Sequence, residues 1–389
     1  MPERDVAAAR LLEARDLQAL LDALAERGYR VVGPRRRDAA IVIDELTRIE
    51  ELPRGCATTQ SAGHYRLEDT SGTAFFGFTP GADSVKRWLH PPRQTEFRFR
   101  REGADFVPVE SAAANEPRLA FLGIRACELA AIEVTDRVFL GGPQPDVGYR
   151  RRRENAFLVA VNCAAPGGSC FCTSTGTGPR AERGFDLALT ELTEPTHRFL
   201  IEVGSDRGVE FAVHLPGDPA PADAIAAAAA ASERCALAMP QRFDRDRVAR
   251  RLRETPEHPR WAAIAERCLA CANCTTVCPT CFCTTTVDRT DLAGATATHE
   301  RDWDSCFTLG FTHLPGGSVR TSVASRYRQW MTHKLASWLD QFGTLGCVGC
   351  GRCVTWCPAG IDLAAEAAAV DGAGDAVRGV APGSDTHAP

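Results

Sequence analysis

Two cysteine runs near the C-terminal end carry the clearest chemistry in the sequence. Cys268, Cys271, Cys274 and Cys278 precede Pro279, and Cys347, Cys350, Cys353 and Cys357 precede Pro358. Three thiolates at i, i+3 and i+6 on a tight loop take one face of an iron–sulfur cubane. The fourth, ahead of proline, points to the other cluster in two-cluster ferredoxins. The spacing predicts one [4Fe–4S] cluster on Cys268, Cys271, Cys274 and Cys357, and a second on Cys347, Cys350, Cys353 and Cys278. Such clusters pass single electrons and need no substrate pocket. Structural zinc also uses Cys-x2-Cys, but as two separated pairs rather than two complete runs each closed by Cys-Pro.

The remaining cysteines are less regular. Cys127 follows the apolar run Leu119–Ile124, and Cys163 follows Phe157–Val161. Both are therefore expected where strands of an open α/β sheet end, the edge on which such folds build sites. Cys170 and Cys172 come just after Pro166-Gly167-Gly168. Together Cys127, Cys163, Cys170 and Cys172 form a candidate third metal centre, against the reading of each as a small buried hydrophobe. The element Cys170-Phe171-Cys172-Thr173 recurs as Cys281-Phe282-Cys283-Thr284, and Cys306 ends Asp302-Trp303-Asp304-Ser305-Cys306. The sequence leaves open whether Cys281, Cys283 and Cys306 bind metal or line the ferredoxin clusters. Cys56 and Cys235 stand alone and read as structural.

These residues must be positioned by a chain of 389 residues, long enough for two domains. Its apolar share of 44% is ordinary for a globular protein, and a net charge of −5 argues against a generic nucleic-acid binder. The longest weakly polar run, Ala224 to Ala231, is too short to span a bilayer. Seventeen cysteines and an N-terminus without an apolar signal core point to a reducing cytoplasm.

The first half reads as α/β. A helix begins at Asp16, with Leu17, Leu20, Leu21 and Leu24 on one face and Gly28 closing it. Strands are expected at Tyr29–Val32, Ala40–Leu46, Arg118–Ile124 and Ala156–Val161. A more antiparallel group is expected at Gly184–Leu192, Arg198–Val203 and Val209–Leu215. Helices follow at Ala222–Ala238 and Arg245–Glu254, and Pro256 and Pro259 mark a boundary. The expected organisation is an α/β (mixed α+β) domain over 1–255, a mainly helical two-cluster ferredoxin-like domain over 256–369, and a disordered tail over 370–389. The 68 residues between Cys278 and Cys347 exceed what a small ferredoxin needs, and Thr321–Phe342 within them has a helical pattern ending at Gly343. Its aromatic and basic stretch Arg326–Lys334 is expected beside the clusters or at a partner interface.

No GxGxxG, P-loop, HExxH or Cys-x-x-Cys-His is present, so the chain has no flavin or NAD motif of its own. Ser174–Pro179 could present backbone N–H groups to an anion or a flavin phosphate, though a turn between strands has the same composition. His64, His197, His299 and His333 show no ligand spacing.

Several blocks nevertheless resemble a known family in order as well as content. They are Gly123–Ala131, Asp136–Leu140, Cys163–Thr173, Gly176–Pro179, Cys278–Cys283, Arg301–Cys306 and Gly346–Cys353. Over about Arg118 to Asp362 the chain is similar to the iron–sulfur beta subunit of cytoplasmic sulfhydrogenase-type nickel–iron hydrogenases. The A subunit of anaerobic sulfite reductase is close kin. The family's usual Arg-Pro-Cys-Asp block is here Arg125-Ala126-Cys127-Glu128.

The resemblance implies a heteromeric complex. A diaphorase-type flavin subunit exchanges hydride with NAD(P)H, this chain relays electrons, and hydrogenase small and large subunits (or sulfite reductase subunits) do the terminal chemistry. The competing reading is a redox enzyme with its own metal or flavin site in the N-terminal domain. The cysteine runs favour a non-catalytic relay.

Overall fold

The computed structural model describes residues 9–109, 116–239 and 242–372. The expected disordered tail falls beyond these, apart from residues 370–372.

The first half folds around an eight-stranded sheet. Its spatial order is Asp218–Pro219, Arg10–Glu13, Arg198–Val203, Leu187–Leu192, Phe157–Val161, Arg118–Ile124, Tyr29–Arg37 and Ala40–Glu45. The four strands from Leu187–Leu192 to Tyr29–Arg37 run parallel, and antiparallel strands flank them on both sides. Buried parallel strands read as unbroken apolar runs because both faces are covered, and Phe157–Val161 shows how. Phe157, Val159 and Val161 point to one core with Leu20, Leu24 and Phe211. Leu158 and Ala160 point to the other, with Leu129, Ile132 and Tyr149. The period of two thus feeds a helical layer on each side.

Two expectations change here. Val209–Leu215 is not a strand: Asp206–Ala212 is a helix, capped by Ser205, whose side chain accepts from the Gly208 amide. The alternation of Val209, Phe211 and Val213 mimics a strand, but the serine cap fixes the local outcome. Asp16 does not cap the first helix either. It ends a single turn, Ala14–Asp16, and the helix Gln18–Glu26 starts after Leu17 without a side-chain cap.

The cysteine runs sit in a second core. It is built by Arg245–Glu254, Arg260–Ala265, Val323–Thr332 and Leu363–Val370, with Trp261, Tyr327, Trp330 and Leu363 buried among them. Between Thr332 and Trp338 the helix widens into a π turn, His333–Ser337. This half is not built of helices alone. Thr284–Thr290 and Thr296–Trp303 form a hairpin that joins Arg93–Glu102 and Asp105–Val109 from the first half in a four-stranded antiparallel sheet. Phe171, from the first half, also belongs to the second core. The chain therefore crosses back over the boundary expected at 255. Among the described residues no helix is long and apolar enough to cross a membrane.

Candidate metal centres

The two cysteine runs share one backbone device. Ala270 and Ala272 in the first run, and Gly349 and Gly351 in the second, all have positive φ, from 49° to 74°. This left-handed pair curls each loop so that successive thiols face inward. Left-handed alanine is costly, so glycine is the easier choice. The second run needs it for a further reason. A Cβ on Gly349 would lie 2.6 Å from the Cys172 Cα, and one on Gly351 would lie 2.4 Å from the Ser169 carbonyl oxygen. The first run has no such cover, and Cys271 is exposed.

Around the first run, Cys268, Cys271, Cys274 and Cys357 line one apolar cavity closed by Phe307, Tyr327, Trp330 and Leu363. The partners anticipated from the Cys-Pro spacing thus meet across the repeat, and Cys353 reaches the same cavity. Burial pushes the Cys274 thiol above the ordinary range. Asn273 ties the loop to the Trp356 carbonyl through its side-chain amide. The aromatic helix Val323–Thr332 packs on this cavity through Tyr327 and Trp330. Its Arg326 is buried and donates to the Arg320 and Thr321 carbonyls at 3.1 and 2.9 Å. Arg328 is half-buried and bonded to the Pro256 carbonyl and Glu257.

Cys347, Cys350 and Cys353 gather with Cys278, whose charge acts on all three. The buried Lys334 places Nζ 3.2 Å from the Cys278 sulfur and 2.9 Å from Thr280 Oγ1. A hydrogen bond from the Cys281 thiol, followed by the Lys334 ammonium, holds the Cys278 thiol well below its usual range. A buried cation among buried thiols offsets the charge that thiolates bring out of water.

The N-terminal cysteines also converge. Cys127, Cys163, Cys170 and Cys172 line a single cavity, together with Cys350, Arg125 and Arg352. Cys127 opens the helix Ala126–Phe139 after the strand Arg118–Ile124, and Cys163 follows Phe157–Val161, so both sit at carboxyl ends of parallel strands. Cys170 and Cys172 arrive on a turn in which the Cys170 amide donates to the Gly167 carbonyl at 3.0 Å. Burial raises the thiols of Cys127, Cys170 and Cys172, Cys170 to about 12. Arg125 bonds the Phe76 and Phe78 carbonyls at 2.8 and 2.9 Å and lies 3.9 Å from the Cys163 sulfur.

Cys281 contacts Cys278, and Cys283 contacts Cys306, beside this assembly. Cys56 is buried in the hairpin strand Cys56–Ser61. Cys235 is less isolated than its sequence position implied: its thiol feels Cys163 and Cys170, and burial raises it to about 12. Among the described residues, no three Cys, His, Asp or Glu side chains close on a point the size of one metal ion.

Sequence reasoning missed the cations. Arg125 and Arg352 lie inside the family-like blocks and Lys334 ends the basic stretch expected beside the clusters, but the sequence assigns none of the three a role of its own. The Ser174–Pro179 segment spends its hydroxyls internally. Thr175 donates to the Cys172 carbonyl at 3.1 Å, Thr177 donates to the Val348 carbonyl at 2.7 Å, and Ser174 accepts from the Arg242 amide. It fastens Cys172 to the second run.

Comparison with known proteins agrees with this geometry. A family described as 4Fe-4S dicluster domain matches residues 267–361, which contain both cysteine runs. Sulfhydrogenase 2 subunit beta of Pyrococcus furiosus is 30% identical over 322 residues, which is 82% of this chain and 92% of that protein. No solved structure matches the chain. Similarity of that extent, together with the dicluster match over both cysteine runs, places the chain in the family of sulfhydrogenase beta subunits, iron–sulfur proteins of electron transfer.

Proposed function

We propose that this chain is the wire of a hydrogenase-type complex, with three iron–sulfur centres in a row. The observation that carries this is the sharing of cysteines between neighbouring cavities. Cys350, of the second run, reaches the N-terminal cavity, and Cys353 reaches that of the first run. The order runs from Cys127, Cys163, Cys170 and Cys172, through Cys347, Cys350, Cys353 and Cys278, to Cys268, Cys271, Cys274 and Cys357. Exposed Cys271 and Leu269 mark the outer end.

The donor sets fit clusters. Each outer cavity is lined by its own four thiols and by one more from the second run, Cys353 in one and Cys350 in the other, with the thiols spread around the space. A bound cluster supplies one-electron redox chemistry. The chain's own residues hold it, exclude water with Trp330, Tyr327 and Phe307, and balance charge with Lys334, Arg125 and Arg352.

The P. furiosus relative is by name a subunit. A flavin subunit reacting with NAD(P)H at one end and hydrogenase small and large subunits at the other make the reading specific. A sulfite reductase assembly is the alternative set of partners. In either, the α/β half through about residue 255 holds the inner centre and the half after it holds the other two.

The test is iron and sulfide content of the anaerobically purified chain, with low-temperature electron paramagnetic resonance during stepwise reduction. Three clusters give about twelve irons and spin coupling between neighbours. A chain that saturates at about eight, with Cys127→Ala and Cys163→Ala leaving iron and spectra unchanged, leaves only the ferredoxin pair.

A further inference from the structure

A third arrangement of thiols is not used by the wire. The hairpin Thr284–Thr290 with Thr296–Trp303 pairs Thr284 opposite Trp303, and the ladder continues one step as the Asp304 amide donates to the Cys283 carbonyl at 2.8 Å. Cys283 and Cys306 therefore close the mouth of the hairpin. The Cys306 thiol and the Cys306 amide both lie within hydrogen-bonding reach of the Cys283 sulfur. Sulfur contacts of this kind tie Cys283 to Cys306 and Cys281 to Cys278. Cys347, Cys350 and Cys353 act on one another and on Cys278 through charge alone.

Cys283 also has access. It opens into a cavity of about 170 Å³ lined by Lys86, Thr276, Trp303, Asp304 and Thr308. That volume admits the end of a small thiol compound. Lys86 holds its ammonium there, 3.2 Å from the Cys281 carbonyl and 3.8 Å from the centre of the Trp303 ring.

We propose that Cys283 and Cys306 form a thiol–disulfide exchange site for a low-molecular-weight disulfide, re-reduced by the adjacent cluster. The Cys283 thiolate attacks one sulfur of the disulfide RSSR, forming a mixed disulfide and releasing RS⁻, which Lys86 faces. The Cys306 thiol loses its proton and attacks the Cys283 sulfur, releasing the second RS⁻ and leaving a Cys283–Cys306 disulfide. A cluster held by Cys347, Cys350, Cys353 and Cys278 would supply the two single electrons that, with two protons from water, return both thiols. The net step is RSSR + 2e⁻ + 2H⁺ → 2 RSH. Cys283 lines the cavity and Cys306 does not, which assigns attack to the first and resolution to the second. Only the return of electrons rests on the wire reading above.

The experiment exposes the anaerobic holoprotein to glutathione disulfide and maps thiols by mass spectrometry, with iron and cluster spectra recorded on the same sample. The wild type should yield a Cys283–Cys306 disulfide, and C306S should retain one glutathione on Cys283. C283S should yield neither at this site and keep its full iron. Photoreduction of the clusters should then restore free thiols at least tenfold faster than in a sample whose clusters stay oxidised. Unmodified Cys283 with intact clusters overturns the exchange site and spares the wire. Loss of iron in C283S also overturns it, by making Cys283 a cluster ligand. A disulfide that forms in a chain without clusters sinks the wire and its electron return, not the exchange.

Discussion

Glu128 and Arg352 form a buried ion pair, with Oε2 and Nη2 2.5 Å apart. Glu128 follows Cys127 on the N-terminal side, and Arg352 precedes Cys353 in the second run. The other Glu128 oxygen accepts from Ser84 Oγ and from the Val85 amide at 2.9 Å, and Arg352 Nε donates to the Gly81 carbonyl at 3.1 Å. Glu128 is thus a strut between two thiol groups. Glu128→Ala leaves a buried guanidinium unpaired and should cost about 3–5 kcal/mol. Chemical denaturation measures that cost. The double variant E128A/R352M should recover part of it, because no charge is then stranded.

The contact between Gly349 and Cys172 gives a sharper test. Alanine at 349 must hold a left-handed conformation and place its Cβ 2.6 Å from backbone atoms of Cys172. The second run and the Ser169–Cys172 turn must then separate. Gly349→Ala should lose the N-terminal centre, about four irons per chain, while keeping the cluster at exposed Cys271. Ala272→Gly, at a left-handed position of the first run, should instead gain up to about 1 kcal/mol. An equal loss of iron from both variants would show that loop shape, not the contact, is what matters.

Legibility followed the strength of the local signal. The ferredoxin cysteines were readable because spacing alone sets what three thiols on a loop can grip. The strand-end positions of Cys127 and Cys163 were readable because Arg118–Ile124 and Phe157–Val161 are buried on both faces and leave an apolar run. The four-stranded sheet was not. Its strands are charged, and Arg93, Arg289, Glu300 and Asp302 face one another across it. Read along the chain, Arg93–Glu102 looks like a solvated segment, and only the distant hairpin gives it a partner. The basic stretch ending at Lys334 was expected beside the clusters or at a partner interface, but which of its cations would turn inward was not legible, and the fold turns Lys334 onto Cys278.

Ligand crossing between the runs has its own variant. Cys357→Ala removes a thiol from the cavity of Cys268, Cys271 and Cys274. The expected outcome is loss of the outer cluster alone, about four irons, with the signals of the other centres retained. Electron paramagnetic resonance should show the surviving centres without their outermost spin coupling. Loss of the cluster on Cys347 and Cys350 instead would mean that each run keeps its own fourth cysteine.

Acid sensitivity should trace to a histidine outside every centre. His90 is 1% exposed and packs at a tilt against Phe139 and Trp303, with ring centroids 4.8 and 5.9 Å away. Neither ring nitrogen has a hydrogen-bond partner among the described residues. Burial, then the charges of Arg301 and Lys86, lower it from 6.5 to about 3, with Arg152 adding to the effect and Asp146 opposing it. The folded protein therefore keeps His90 neutral where the unfolded chain protonates it. Below pH about 6.5 the unfolded state binds the extra proton, so stability falls as pH falls, until about pH 3. The slope from this one group approaches about 1.4 kcal/mol per pH unit. His90→Phe keeps an aromatic ring against Phe139 and Trp303 and cannot take the proton. Its denaturation midpoint should decline less steeply with acid than that of the wild type, and parallel declines would place the acid sensitivity elsewhere.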